Sequence, residues 1–299
     1  MRTEKPKEYP YAVGRLRVIE KGMLDGAAIA RAAECASADE AFRLLAEAGY
    51  DVSGGNADAA ASAEYAKLTA LIRSLIPDER RVLSVLFGRN DYHNAKLRVK
   101  SRVAGGGAGY ELPGGFADEE ALDGAEREAS DAYARSGDPR VIDIALDRAA
   151  LGRMAEDAAA TGDSFLTEYA RIVVDCANIS AFTRTDLWAG FAAAFAPGGE
   201  LPLSFFKSAF QSDNKARALA PTHYASLVSG AAGDLDRARD ALLIRLAKSV
   251  KAETISFRPV AAYAIGKEIE IRNVRLALLA PVAKIAAEAV KGALREAYV

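Results

Sequence analysis

The sequence predicts an all-α fold built from three related helical units. Ala, Leu, Arg and Glu dominate the 299 residues while aromatics make up only 8%, a balance that favours helix. Apolar residues recur at helical spacing through most of the chain, and no convincing alternating β pattern occurs. A carboxylate followed three residues later by Asn occurs three times, at Asp91 and Asn94, Asp175 and Asn178, and Glu270 and Asn273. On a helix that spacing makes the two side chains neighbours on one face.

The three signatures read Asp91-Tyr92-His93-Asn94, Asp175-Cys176-Ala177-Asn178 and Glu270-Ile271-Arg272-Asn273. Nineteen residues after Asn94 stands Pro113-Gly114-Gly115, and nineteen after Asn178 stands Pro197-Gly198-Gly199. With 24 Gly and 10 Pro a Pro-Gly-Gly triplet is expected about 0.06 times, so two in register mark an internal repeat. A further landmark joins the later units: Leu146-Asp147-Arg148-Ala149 precedes Asn178 by 32 residues, as Leu235-Asp236-Arg237-Ala238 precedes Asn273 by 38. The units are expected at 1–112, 113–196 and 197–299.

In the first unit Tyr9-Pro10-Tyr11 leads into Val13, Leu16, Ile19 and Leu24, interrupted by Arg15, Arg17, Glu20 and Lys21. This reads as one amphipathic helix. Asp51 to Asp58, with Ser53-Gly54-Gly55-Asn56, reads as loop. Ile76-Pro77-Asp78-Glu79 then starts the helix of the first signature, with Asp78 as N-cap. Gly105-Gly106-Gly107-Ala108-Gly109 is costly to hold in regular structure and closes the unit near Leu112.

The second unit opens with Asp118-Glu119-Glu120, whose charges suit the first turn of a helix. Asp138-Pro139 caps another, with Val141, Ile144, Leu151 and Ala155 as its stripe. Gly162-Asp163 ends it, and Phe165 to about Ala196 carries the second signature. In the third unit Asp234 is a candidate N-cap before Leu235, Ala238, Leu242 and Leu246. Pro259 and Pro281 bound a helix of about 20 residues, ~30 Å long. Ile265, Ile269 and Leu276 project from one side of it, and Ile271, Val274 and Leu278 from nearly the opposite side. Such a helix is sandwiched between layers, with Glu268, Arg272, Glu270 and Asn273 in the seams.

Composition narrows function. Lys and Arg number 39 against 41 Asp and Glu, so no basic excess exists to hold nucleic acid. Cys35 and Cys176 lie far apart with no Cys-x-x-Cys and no secretory leader, and read as reduced thiols of a cytosolic chain. The longest apolar runs, such as Phe191 to Ala196, are far short of the ~18 residues that cross a bilayer. His93 and His223 have no metal-binding spacing, so no metal and no cofactor are expected. The Gly105–Gly109 run lacks the Gly-Lys-Ser/Thr ending of a phosphate loop and reads as linker. Gly162-Asp163-Ser164-Phe165 only superficially resembles an esterase nucleophile block. The carboxylate and Asn pairs lack the Glu-x-x-His of a di-metal centre. They read as ties satisfying polar atoms in a half-buried structural seam. Charged residues in Lys207 to Arg217 read as a solvated face.

Arg258-Pro259-Val260, Lys267-Glu268-Ile269-Glu270-Ile271-Arg272-Asn273-Val274-Arg275 and the closing Tyr298-Val299 resemble the C subunit of V-type and A-type rotary ATPases, the d-type central-stalk subunit, in its prokaryotic form. Tyr9, Tyr11, Ala12, Arg15 and Leu16, the set Asp91, Asn94 and Lys96, the connector Leu112-Pro113-Gly114-Gly115, and the block from Asp175 and Asn178 to Arg184 are similar to that family in order and spacing. The resemblance implies a funnel of three helical domains about a pseudo-threefold axis. It implies a non-catalytic adapter on the cytoplasmic face of the membrane, peripheral and monomeric within its complex. Such a subunit takes the foot of the central shaft, formed by D- and F-type subunits, in its cavity and sits on the membrane proteolipid rotor ring. It thereby couples rotation to ATP-driven ion transport or ATP synthesis. The alternative is a helical-repeat scaffold of an unrelated soluble complex, which shares the fold and needs no ring.

Overall fold

A computed structural model describes residues 9–104, 110–212, 214–228 and 234–299. The run Gly105 to Gly109 and the Asp234 side chain, read above as linker and helix cap, lie outside the described residues. The described residues form helices, with no strand among them. By their contacts they group into two compact units, 1–78 with 240–299, and 79–239.

In the unit formed by the two chain ends, α1 spans Tyr9–Glu20, α2 Gly26–Glu34, α3 Ala38–Glu47 and α4 Ala57–Leu75, joined later by α14 (Asp234–Ser249) from Asp240 onward, α15 Arg258–Ala283 and α16 Ala287–Ala293. Caps set the starts of the early helices. Asp25, Ser37 and Asn56 each accept a bond from a backbone N–H in the following first turn, removing donors that a helix start leaves unpaired. The long α15 packs against α1, α2, α3, α4 and α16, and every residue from Pro259 to Lys267 is buried. A helix that is apolar on opposing sides has to be covered on both. Ile29, Ala32, Ala41, Leu45 and Ala60 supply one cover and meet Val274, Ala277 and Leu278. Gly266 lets the Tyr298 ring lie on α15, since a Cβ there would stand 2.5 Å from Tyr298 Cγ.

In the second unit α5 spans Arg80–Phe87, α6 Arg89–Ala104, α7 Glu119–Ser136, α8 Arg140–Thr161 and α9 Ser164–Arg184. Short helices follow: α10 Trp188–Ala194, α11 Leu203–Ala209, α12 Lys215–Leu219 and α13 Ala225–Val228. Asp118 caps α7 through Ala121 N, and Asp163 caps α9 through Leu166 N. Gly137 and Gly162 end α7 and α8 in the left-handed region, where an L side chain is strained. Tyr92, Ala95 and Val99 of α6 pack on Ala125, Ala129, Ile142 and Leu146. Phe182, Phe191 and Phe206, all fully buried, form an aromatic nucleus with Trp188 and Phe210 at its edge.

Several local expectations change. Asp78 caps nothing: α5 starts at Arg80 behind Glu79, which makes no side-chain cap bond. Gly88 then divides α5 from α6, so the first signature opens its own helix. Pro281 lies inside α15, which continues to Ala283. So close to the end, the missing proline N–H forfeits a single helical bond, and Lys284 at φ 53 closes the helix by donating to Ala280 O. On α8 the deepest stripe is Ile142, Leu146, Ala150 and Met154, while Val141, Ile144, Leu151 and Ala155 are half-buried on its shoulder. On α14 likewise Leu243, Ile244 and Ala247 are buried, and the expected stripe is half-buried.

Candidate functional site

The three signatures lie on α6, α9 and α15, and in each the side chains are spent on backbone that has no helix to satisfy it. A connector without regular structure leaves its N–H and C=O groups unpaired, and buried groups of that kind need partners. Asn94 supplies them to Leu112 through Nδ2 to the carbonyl at 2.8 Å and Oδ1 from the N–H at 2.9 Å. Asp91 accepts from Gly115 N at 2.7 Å and from Phe116 N and Ala117 N at 2.8 Å each. Pro113 between them has no N–H to satisfy, and its carbonyl takes the Asn90 amide at 2.8 Å.

The second copy repeats the clasp and two of the three carboxylate bonds. Asn178 pairs with both backbone groups of Ala196 at 2.8 and 2.9 Å, and the separation of 18 residues is the same as in the first copy. Asp175 accepts from Glu200 N at 2.8 Å and Leu201 N at 3.1 Å, again 25 and 26 residues on. Both connectors need two glycines, in exchanged order. Gly115 and Gly198 take positive φ, while Gly114 and Gly199 face the Asp91 and Asp175 carboxylates with no room for a Cβ.

The third copy keeps the Asn clasp and redirects the carboxylate. Asn273 holds both backbone groups of Arg295 at 2.9 Å, 22 residues on. Glu270 reaches instead to the amino-terminal part of its unit, accepting from Leu24 N at 3.0 Å and Tyr50 OH at 2.5 Å and pairing with Lys267 at 2.7 Å. The third carboxylate thus ties α15 to the segments around Leu24 and Tyr50.

Sequence reasoning missed the groups that complete these seams. Tyr224 donates to Asp175 at 2.9 Å, as Tyr50 does to Glu270. Fully buried Asp240 takes Arg272 at 3.0 Å and Arg295 at 3.1 Å. Asp157 takes the Ser84 hydroxyl at 2.6 Å and Arg153 at 3.1 Å. Buried Lys267 pairs with Glu64 at 3.2 Å as well as Glu270. Only the spacings of Arg153 to Asp157, of Lys267 to Glu270 and of Glu268 to Arg272 carried a signal, because the other partners come from distant segments.

Electrostatics follow from burial. Burial raises the Asp175 carboxyl above its ordinary 3.8, opposed by its hydrogen bonds from Glu200, Leu201 and Tyr224. Burial, reinforced by the neighbouring carboxylate, pushes Tyr50, Tyr224, Tyr263 and Tyr298 well above the ordinary phenol value of 10. A raised folded-state pKa gives stability that is complete below the unfolded value and is lost as pH rises towards the folded one. Stability is therefore expected to fall above pH 10 by up to ~1.4 kcal/mol per pH unit for each of these tyrosines. Urea titrations across that range check this, and a flat profile refutes it. At neutral pH, Asn178→Ala and Asn273→Ala are each expected to cost about 1–3 kcal/mol, because each strands a backbone pair. Unchanged melting of both variants would refute the clasp.

In the 79–239 unit a cavity of about 580 Å³ opens where sequence landmarks converge. Asp147 comes from one Leu-Asp-Arg-Ala element, Leu235 and Asp236 from the other, and His93 and Ala177 from two signatures. Its carboxylates are matched locally: Asp147 pairs with Lys96, Asp143 with Lys100 and Asp236 with Arg239. His93 Nε2 lies 3.2 Å from Tyr110 O. A mixed, ion-paired lining suits the polar side chains of a protein partner better than a small apolar ligand. Among the described residues no group of three or more His, Cys, Asp or Glu is placed to hold a metal ion, and no helix is long and apolar enough to cross a membrane.

The family model described as ATP synthase (C/AC39) subunit matches residues 12–292. No curated protein matches the chain.

Proposed function

The chain belongs to the ATP synthase (C/AC39) subunit family, structural rather than catalytic components of the V/A-type ATPase, and from that premise we propose that it couples the rotating central shaft to the membrane proteolipid ring. The family match over residues 12–292 carries this reading. The seams support it, since Asp91, Asp175 and Glu270 are filled by structural donors. A carboxylate so occupied is poorly placed for acid–base chemistry and well placed to resist bending. Repetition of the same clasp favours three related units, 1–112, 113–196 and 197–299, braced in one manner.

In this reading the protein stands on the cytoplasmic side as a peripheral monomer within the complex. D- and F-type shaft subunits contact it through the cavity beside His93, Asp147 and Asp236. The proteolipid ring carries it, and the assembly runs ATP-driven ion transport or ATP synthesis. A photo-crosslinking residue placed at Ala181, which lines the cavity, is expected to capture a shaft subunit in the assembled ATPase. Capture of no shaft subunit, with the protein present in the assembly, rejects the cavity as the shaft contact.

A further inference from the structure

Helix α1 buries Ala12, Val13, Leu16 and Glu20 and turns Tyr11, Arg15 and Val18 outward on one side, with Tyr11 70% and Val18 71% exposed. Arg15 is exposed, as is Lys21 in the turn just beyond the helix. No carboxylate stands among them. The segment before α15 lies alongside: Arg17 donates to Lys251 O, and the Tyr9 and Phe257 rings meet at 6.2 Å. It adds Ile255, 79% exposed.

Beside this face a groove of about 530 Å³ is lined by Arg17, Lys21, Arg31 and Lys251, with Glu20 and Asp25 as its side-chain acids. Arg17 and Glu20 offset each other, and Lys21, Arg31 and Lys251 outnumber Asp25. Glu20 is buried and paired with Arg17 at 2.6 Å, and Asp25 caps Ala28 N at 2.7 Å. Lys251 Nζ lies 4.7 Å from the Tyr298 ring centre, so its charge rests against the ring face at the groove. The local positive character runs against a chain whose net charge is −2.

We propose that this face of α1 and its groove bind the anionic headgroups of a phospholipid surface, with Tyr11, Val18 and Ile255 entering the interface. Cations interleaved with separate apolar side chains suit the boundary between headgroup and acyl chain. A protein partner of that area would want a contiguous apolar centre that desolvates together, and these three side chains are set among charges. The proposal rests on the rotor reading only in setting the chain beside a membrane.

Co-sedimentation of the full chain with protein-free vesicles tests it, using phosphatidylcholine alone and phosphatidylcholine mixed with phosphatidylglycerol. Binding is expected to the mixed vesicles only and to weaken with salt. The double variant Lys21→Glu/Arg31→Glu should lower that binding at least about tenfold, and Val18→Asp should lower it as well, with unchanged helix content in both. Equal binding to both vesicle types, or none to the mixed ones, overturns the proposal. Calorimetric binding of inorganic phosphate in the groove without vesicle binding assigns a free anion and also overturns it. So does capture by proteolipid ring in phosphatidylcholine that is lost in Lys21→Glu, because the face then belongs to a protein. Since the vesicles hold no other subunit, their result stands apart from recovery of ring and shaft, which tests the rotor reading.

Discussion

Gly199→Ala is expected to lower the stability of the 79–239 unit by about 3 kcal/mol or more. The added Cβ would stand 2.7 Å from Asp175 Cγ and closer still to Oδ1. Nothing there yields cheaply. Asp175 is fully buried, and the adjoining Gly198, at φ +102, is pressed against Ala155 of α8. If the carboxylate turns away, the N–H groups of Glu200 and Leu201 and the Tyr224 hydroxyl lose their acceptor. If the connector moves instead, the Asn178 clasp on Ala196 opens. Gly124→Ala is the matched control, for a Cβ there meets nothing within 4 Å and mid-helix Ala gains about 0.5–1 kcal/mol over Gly. Trp188 is the only tryptophan and packs on Phe191 and Phe210 in this unit. Its fluorescence during urea unfolding reports the change, and a Gly199→Ala midpoint equal to that of the parent would contradict the packing described.

Glu270→Leu is expected to cost about 3–5 kcal/mol in the unit formed by the chain ends. It removes the acceptor of Leu24 N and Tyr50 OH. Lys267, only 6% exposed, is left with Glu64 at 3.2 Å as its carboxylate and the Tyr50 hydroxyl at 3.4 Å. A buried charge that loses its closest partner costs more than the pair contributed. The double variant Lys267→Met/Glu270→Leu should therefore be more stable than Glu270→Leu by about 1–3 kcal/mol. Unfolding followed by circular dichroism measures both. Equal stability of the single and double variants would show that the lysine carries no uncompensated charge.

The helical class was legible because it rests on local signals: composition, periodicity, and acidic first turns such as Asp118-Glu119-Glu120. The long α15 could be read as sandwiched because Ile269 and Ile271 point to nearly opposite sides yet both are buried. The stripes on α8 and α14 were displaced because those helices carry apolar residues around more than half their circumference. Periodicity then names an apolar flank and leaves its deepest line open. Spacing placed Asp175 and Asn178 on one face of α9, and the register of Pro197-Gly198-Gly199 pointed to a repeated connector. The hydrogen bonds from Tyr224, 49 residues away, and from Tyr50 to Glu270, 220 away, had no such signal. Nor had Asp240, whose Arg272 and Arg295 lie 32 and 55 residues on. Those contacts exist only once the chain is folded. The cavity was half visible: the two Leu-Asp-Arg-Ala elements marked a repeat, and folding brings both to one opening.

The most direct measurement is a pulldown of the tagged full chain from gently solubilised membranes of its source, with its partners identified by mass. Recovery of proteolipid ring and central-shaft subunits together is the predicted result. Recovery of neither, from membranes in which the ATPase is demonstrably present, contradicts the rotor-adapter assignment and leaves a helical scaffold of another complex.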